Sequence, residues 1–112
     1  MDDRFEVRVK VAIKGETAFF GPGIADLMRH IDKTGSVKEG CQSMGLSYSK
    51  GWSILNRAEK ELGYPLIRRN HGGREGGGAA ITDQGRELLA KFDQMHERIA
   101  AYAEEVYAEI FE

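Results

Sequence analysis

The feature that most constrains this chain is a break near its middle. Met44-Gly45-Leu46-Ser47 separates two runs of helical periodicity, Val37, Cys41 and Met44 before it and Tyr48, Trp52, Leu55 and Leu62 after it. Ser36 is placed to cap the first run and Ser47 the second, because a short hydroxyl accepts a hydrogen bond from an orphan amide of the first turn. Gly45 breaks the first helix and Gly63 ends the second. A short helix, a glycine turn and a longer helix from about Tyr48 to Leu62 make a helix-turn-helix. The tight turn sets the second helix across the first, leaving its opening turn free to enter a major groove.

The flanking segments complete a recognisable plan. Upstream, Ile24, Leu27, Met28 and Ile31 mark another helix, which stops at Thr34-Gly35. Before it, Arg4 to Lys14 alternates: Phe5, Val7, Val9, Val11 and Ile13 share one face, the pattern of a half-buried strand. Gly15-Glu16-Thr17 can turn that strand back into Ala18-Phe19-Phe20, and Gly21-Pro22-Gly23 ends the hairpin. Downstream, Pro65 to Arg69 and Ala79 to Ile81 read as two short strands around the loop NHGGREGGG, Asn70 to Gly78. Two strands and a flexible, basic loop directly after a recognition helix describe a wing. Its glycines allow close approach to a sugar-phosphate strand, and Arg74 supplies charge for a phosphate or a narrow minor groove, with Glu75 beside it opposing deep insertion.

Thr82-Asp83 then caps a long last helix. Leu88, Phe92, Met95, Ile99, Tyr102 and Val106 follow one another in alternating steps of four and three, the pattern of a coiled-coil seam, with Leu89, His96, Ala103 and Ile110 flanking it. A chain of 112 residues has little core left over for so wide a stripe, so a second copy is the expected partner. The expected fold class is α+β, mainly α: a winged helix-turn-helix with an N-terminal β-hairpin and a long C-terminal dimerisation helix. It divides as hairpin 1–22, winged helix-turn-helix 23–82 and dimerisation helix 83–112 of one domain.

Charge supports this division. The net charge is only −2, yet Ser47 to Arg74 holds six basic residues against two acidic, and Asp83 to Glu112 three basic against eight acidic. A basic face can meet phosphates while the acidic end points elsewhere. The DNA contacts expected on this pattern are Ser36, Ser47, Tyr48, Ser49, Lys50, Ser53 and Arg57 on the helices, and Arg68, Arg69, His71 and Arg74 around the wing. Ser47 could bind phosphate through its hydroxyl or the helix N-terminus, and Lys50 a phosphate or a guanine edge.

Other classes find less support. No apolar run approaches the roughly 18 residues of a membrane span. The acidic opening MDDRFEVRVK lacks the apolar core of a secretory signal, and the lone Cys41 cannot form an internal disulfide, so a cytoplasmic location is expected. Cys41 is expected to be an inert core thiol and Trp52 a core residue. His30, His71 and His96 lack metal-ligand spacing, the glycine loop lacks a P-loop's Gly-Lys-Ser/Thr ending, and no nucleophile–base pair or carboxylate pair stands out. No cofactor, metal or enzymatic activity is expected. The alternative left open is a protein-interaction adaptor that uses the winged helix and the long helix for docking.

Several separated motifs in order also resemble one family. Ile31-Asp32-Lys33-Thr34-Gly35-Ser36, Met44-Gly45-Leu46-Ser47-Tyr48 with Trp52, Gly63-Tyr64-Pro65-Leu66, Gly72-Gly73-Arg74 with Gly76-Gly77-Gly78, and Ile81-Thr82 with Gly85-Arg86 and Leu88-Leu89 resemble the N-terminal DNA-binding domain of the molybdate-responsive regulator (ModE) family. That domain is similar in turn to the LysR-type winged helix. The resemblance implies a dimer on a pseudo-palindromic operator, read by the helix beginning at Ser47 and by the wing. Family members tend to carry alanine where this chain has Gly40 and Gly51, which cost helix propensity of about 1 kcal/mol each. Full-length regulators continue into molybdate-binding domains; the sequence runs to Glu112 without them, and molybdate binding is not expected of these residues alone.

Overall fold

A computed structural model describes residues 5–69 and 78–111 of the chain. The elements run β1 (Ile13–Lys14), β2 (Ala18–Phe20), α1 (Pro22–Thr34), α2 (Val37–Ser43), α3 (Tyr48–Leu62), β3 (Ile67–Arg69), β4 (Ala79–Ile81) and α4 (Asp83–Phe111). The fold is mainly helical, with two antiparallel two-stranded sheets, β1-β2 and β3-β4. In the second, Ile67 faces Ile81, Arg68 faces Ala80 and Arg69 faces Ala79.

Each helix starts and stops for a local reason. Pro22 opens α1, where its missing N–H costs nothing and its fixed φ suits a first turn. Pro22 and Gly23 therefore belong to the helix rather than to the end of the hairpin. Gly35 closes α1 at φ 74°, donating its amide to the Ile31 carbonyl at 2.7 Å, a left-handed geometry that suits glycine. The Ser36 hydroxyl accepts from the Glu39 amide and the Ser47 hydroxyl from the Lys50 amide, both at 3.1 Å. At the head of α4 the Thr82 hydroxyl accepts from the Gly85 amide at 3.0 Å and donates to the Pro65 carbonyl at 2.7 Å.

The core lies where α1, α2 and α3 meet the two sheets. Leu27, Met28, Ile31, Leu55, Ala58 and Leu66 are fully buried there. The buried face of α3 carries Gly51, Leu55 and Ala58. Tyr48, which shares the periodicity of Trp52 and Leu55 and is also an expected DNA contact, is exposed.

Two glycines allow close helix approaches, Gly51 between α3 and α2 and Gly40 between α2 and α1. A Cβ on Gly51 would stand 2.2 Å from Cys41 Sγ, and one on Gly40 would stand 2.8 Å from Ile31 Cγ1. Both glycines therefore serve helix–helix contact, which propensity alone does not reveal. Cys41 is buried at this crossing, and burial pushes its thiol pKa up. It stays protonated and unreactive.

The N-terminal segment departs from expectation. Only Ile13 and Lys14 form a strand, with an irregularity between them, although half-buried and exposed residues alternate from Val7 to Lys14. The segment lies along α4 instead of pairing fully with β2. The Val7 amide donates to Glu104 Oε1 at 2.6 Å, and His96 Nε2 lies 3.1 Å from the Val9 carbonyl. Period two dictated which side is covered; the cover is a helix.

That cover, together with the core, absorbs part of the expected seam. Phe92 is buried in the chain's own core, its ring edge-on to Phe20 at 5.1 Å and 73°, so it is not available to a second copy. Leu88 and Met95 pack partly against the same core. The base of α4 is also tied to α1: Arg86 grips Asp32 with two bonds of 2.9 and 3.0 Å, and Arg29 pairs with Asp93. The Arg86 hydrogen bond holds the Asp32 carboxyl below its usual range against a smaller opposing desolvation.

Candidate nucleic-acid interface

The exposed face of α3 is assembled by its cap and by the crossing behind it. Ser47 ends the turn in extended geometry and caps the helix, so its hydroxyl already has a partner in the Lys50 amide. Ser49, Lys50 and Ser53 point to solvent one turn further on. Asn56 continues their stripe and is also exposed. Its spacing of seven from Ser49 and three from Ser53 was the available signal, and its amide can both donate to and accept from a base edge.

The sheet β3-β4 stands beside this face. Glu59 near the end of α3 fixes where β3 begins, its Oε2 accepting from the Leu66 amide at 2.6 Å and the Ile67 amide at 3.2 Å. On the other leg, the Ala79 amide donates to the Gly35 carbonyl at 2.8 Å. Neighbouring strand residues project to opposite faces. Arg69 takes the α3 side, with its guanidinium carbon 4.1 Å from the centre of the Trp52 ring. Arg68 consequently faces the other way. Both are exposed, but only Arg69 joins the surface of α3.

Trp52 is half-buried and meets Tyr48 edge-on, ring centres 6.4 Å apart. Tyr48 itself is 52% exposed, which puts its hydroxyl within reach of a partner in solvent. Tyr48, Trp52 and Arg69 thus form a cation–aromatic row bordering Ser49 and Lys50.

The remaining expected contacts separate from this surface. Arg57 turns to the N-terminal sheet, donating to the Thr17 hydroxyl and, at 2.8 Å, to the Ala18 carbonyl; it braces the hairpin. Ser36 caps α2, its hydroxyl accepting from the Glu39 amide. His71 and Arg74 lie outside the described residues. Among the described residues no cluster of histidine, cysteine or carboxylate side chains could hold a metal ion, and no helix is long and apolar enough to cross a membrane.

The second candidate surface is the outer half of α4. Ile99 and Tyr102 are exposed, as are Ile110 and Phe111 beyond them, while Val106 is half-buried. Tyr107 and Phe111 stack at 4.8 Å. Of the six seam residues expected from periodicity, Ile99 and Tyr102 present the most open apolar area.

Comparison with known proteins places this arrangement. Over 75 residues the chain is 33% identical to the DNA-binding transcriptional dual regulator ModE of Escherichia coli K12, spanning 67% of this chain and 29% of that protein. It is 32% identical over 78 residues to the transcriptional regulator ModE of Haemophilus influenzae, spanning 70% and 31% respectively. Similarity to the molybdenum-pterin-binding protein MopB of Rhodobacter capsulatus reaches 29% over 90 residues, 80% of this chain and 33% of that one. The chain thus spans about a third or less of the length of these relatives. No protein-family model matches it. Among solved structures, the protein of the CbnR_DBD–DNA complex superposes with a TM-score of 0.60 at 16% identity, over 78% of this chain and 94% of that one. The shared fold is the winged helix.

Proposed function

We propose that this chain, a homologue of ModE-type molybdate-responsive regulators, is a sequence-specific DNA-binding transcription regulator that works in the cytosol as a dimer on a pseudo-palindromic operator. The observation that carries the reading is the exposed opening of α3, Ser49, Lys50 and Ser53, with Arg69 and its aromatic neighbours alongside. In this reading α3 enters the major groove, Lys50, Ser49, Ser53 and Asn56 face base edges or phosphates, and Arg69 meets the backbone beside them. Tyr48 adds a hydroxyl at the rim. Arg68, His71 and Arg74 are further candidates on the wing. No enzymatic role or molybdate site is proposed for these residues.

The dimer is supported by the outer half of α4. At 29 residues the helix is about 43 Å long, enough to carry two reading heads to sites about one helical turn of DNA apart, roughly 34 Å. Ile99, Tyr102 and Ile110 supply apolar surface that one chain leaves in water. Burying it against the same surface of a second copy satisfies both at once.

The test is binding of the purified protein to the DNA upstream of its own gene and to random duplex, across a salt series. A preference of about a thousandfold for the upstream fragment, falling steeply with salt, is the expected result. Weak binding, equal on both and lost by physiological salt, would overturn the reading in favour of a docking adaptor.

A further inference from the structure

Trp52 is the chain's one tryptophan, and its surroundings are unusual for a core residue. Its Nε1 is buried with no hydrogen-bond partner among the described residues. An indole kept for packing and polarity would find an acceptor for that N–H. What the ring offers instead is its face, and Arg69 covers it at 4.1 Å. Tryptophan is the strongest cation–π partner among the side chains.

Arg69 is equally telling. No carboxylate of the described residues lies within ion-pair distance of it, whereas Arg29 and Arg86 each hold an aspartate. A stacked guanidinium keeps its in-plane N–H donors free, because the ring occupies the face and leaves the edge. A planar cation with no carboxylate partner among the described residues, beside the opening turn of α3, suits a phosphate oxygen. The pair also crosses elements: Trp52 belongs to α3, and Arg69 ends the first strand of the wing.

We propose that Trp52 is a positioning residue: it holds the Arg69 guanidinium in the orientation that meets a DNA phosphate, and so couples the recognition helix to the wing. The inference rests on the DNA-binding reading and adds to it a division of labour in which a residue that touches no DNA sets the strength of an electrostatic contact.

The decisive property is the salt dependence of binding, measured on the full chain with the upstream duplex. Arg69→Ala is expected to weaken binding about tenfold or more and to lower the slope of log affinity against log salt by about 0.9 per protomer, about 1.8 for the dimer. Trp52→Leu removes no charge, yet it is expected to lower the slope in the same direction. Trp52→Phe, which restores an aromatic face, recovers most of the wild-type slope. The double variant Trp52→Leu/Arg69→Ala binds no more weakly than Arg69→Ala alone. An unchanged slope in Trp52→Leu overturns the positioning role, as does a double variant in which the two losses multiply. If Trp52→Leu does not fold, the emission of Trp52 in the free protein decides: Arg69→Ala shifts it if the stack exists, and an identical spectrum refutes it. Failure of the wild-type chain to bind any duplex is a different result, which removes the DNA reading itself.

Discussion

The helix-turn-helix end of the molecule and the outer half of α4 obey opposite rules of packing. Around α1, α2 and α3 the helices approach so closely that two positions admit no Cβ, and Leu27, Met28, Ile31 and Leu55 between them are fully buried. Along outer α4 large apolar residues stand open: Tyr102 is 66% exposed and Ile110 67%. The first region is finished within one chain. The second leaves apolar surface open, which the proposed dimer would cover; among the described residues the N-terminal segment lies along one side of α4. In the proposed dimer, stability and association are therefore held by different residues and can be perturbed separately.

The largest effect expected from this contrast is on association. Replacing Ile99 and Tyr102 together by glutamate places unpaired charge in the proposed interface and should weaken self-association by about a hundredfold or more. Sedimentation across a concentration series measures it, and the thermal melt at monomeric concentrations should be unchanged. A melt that falls with the double substitution would show that these residues belong to the fold.

Next in size is the crossing of α2 and α3. Gly51→Ala gains helix propensity but drives a methyl group into Cys41 Sγ, and overpacking of this kind costs about 1–3 kcal/mol. Denaturant unfolding should show that loss, and Cys41→Ala in the same chain should recover most of it by removing the sulfur. If Gly51→Ala alone is stabilising, the crossing is looser than the geometry implies and the contrast between the two regions weakens.

The smallest effect concerns the segment that bridges them. Glu104→Ala removes the acceptor of the Val7 amide and should cost about 1 kcal/mol or less. Limited proteolysis is the sensitive measure, with faster cleavage within residues 5–12 and none within α1 to α3. Equal cleavage rates in the two proteins would mean the segment is held by its apolar face alone.

What was legible in the sequence follows from the range of each interaction. Caps and breaks are local, so Ser36, Ser47, Gly35, Gly45 and Gly63 could be placed without a fold. Periodicity gave sidedness, which is why the alternation from Val7 to Ile13 was right about burial. It carries no information about the partner, and the partner was α4. Phe92 illustrates the same limit: its heptad position is compatible with a dimer seam, but Phe20 reaches it first. Arg57 sits later on α3, where its position suggests a backbone contact or a surface ion pair; the hairpin instead brings Thr17 and Ala18 to it. Gly51 signalled a propensity penalty, and only the crossing helix shows what is obtained in return. The Trp52–Arg69 stack joins two elements across a turn, and no spacing rule reports it.

One residue at a turn has a mechanical consequence. Gly35 ends α1 with its amide and anchors β4 with its carbonyl, while Glu59 of α3 fastens the start of β3 through two amides. The two legs of the wing are therefore footed on different helices, like a bracket bolted to two beams. A load applied to the bracket is shared by both beams, and neither leg can swing without lifting a bolt. Torque from a bent or twisted duplex would thus pass into α1 and α3 together and rotate that whole block as one piece.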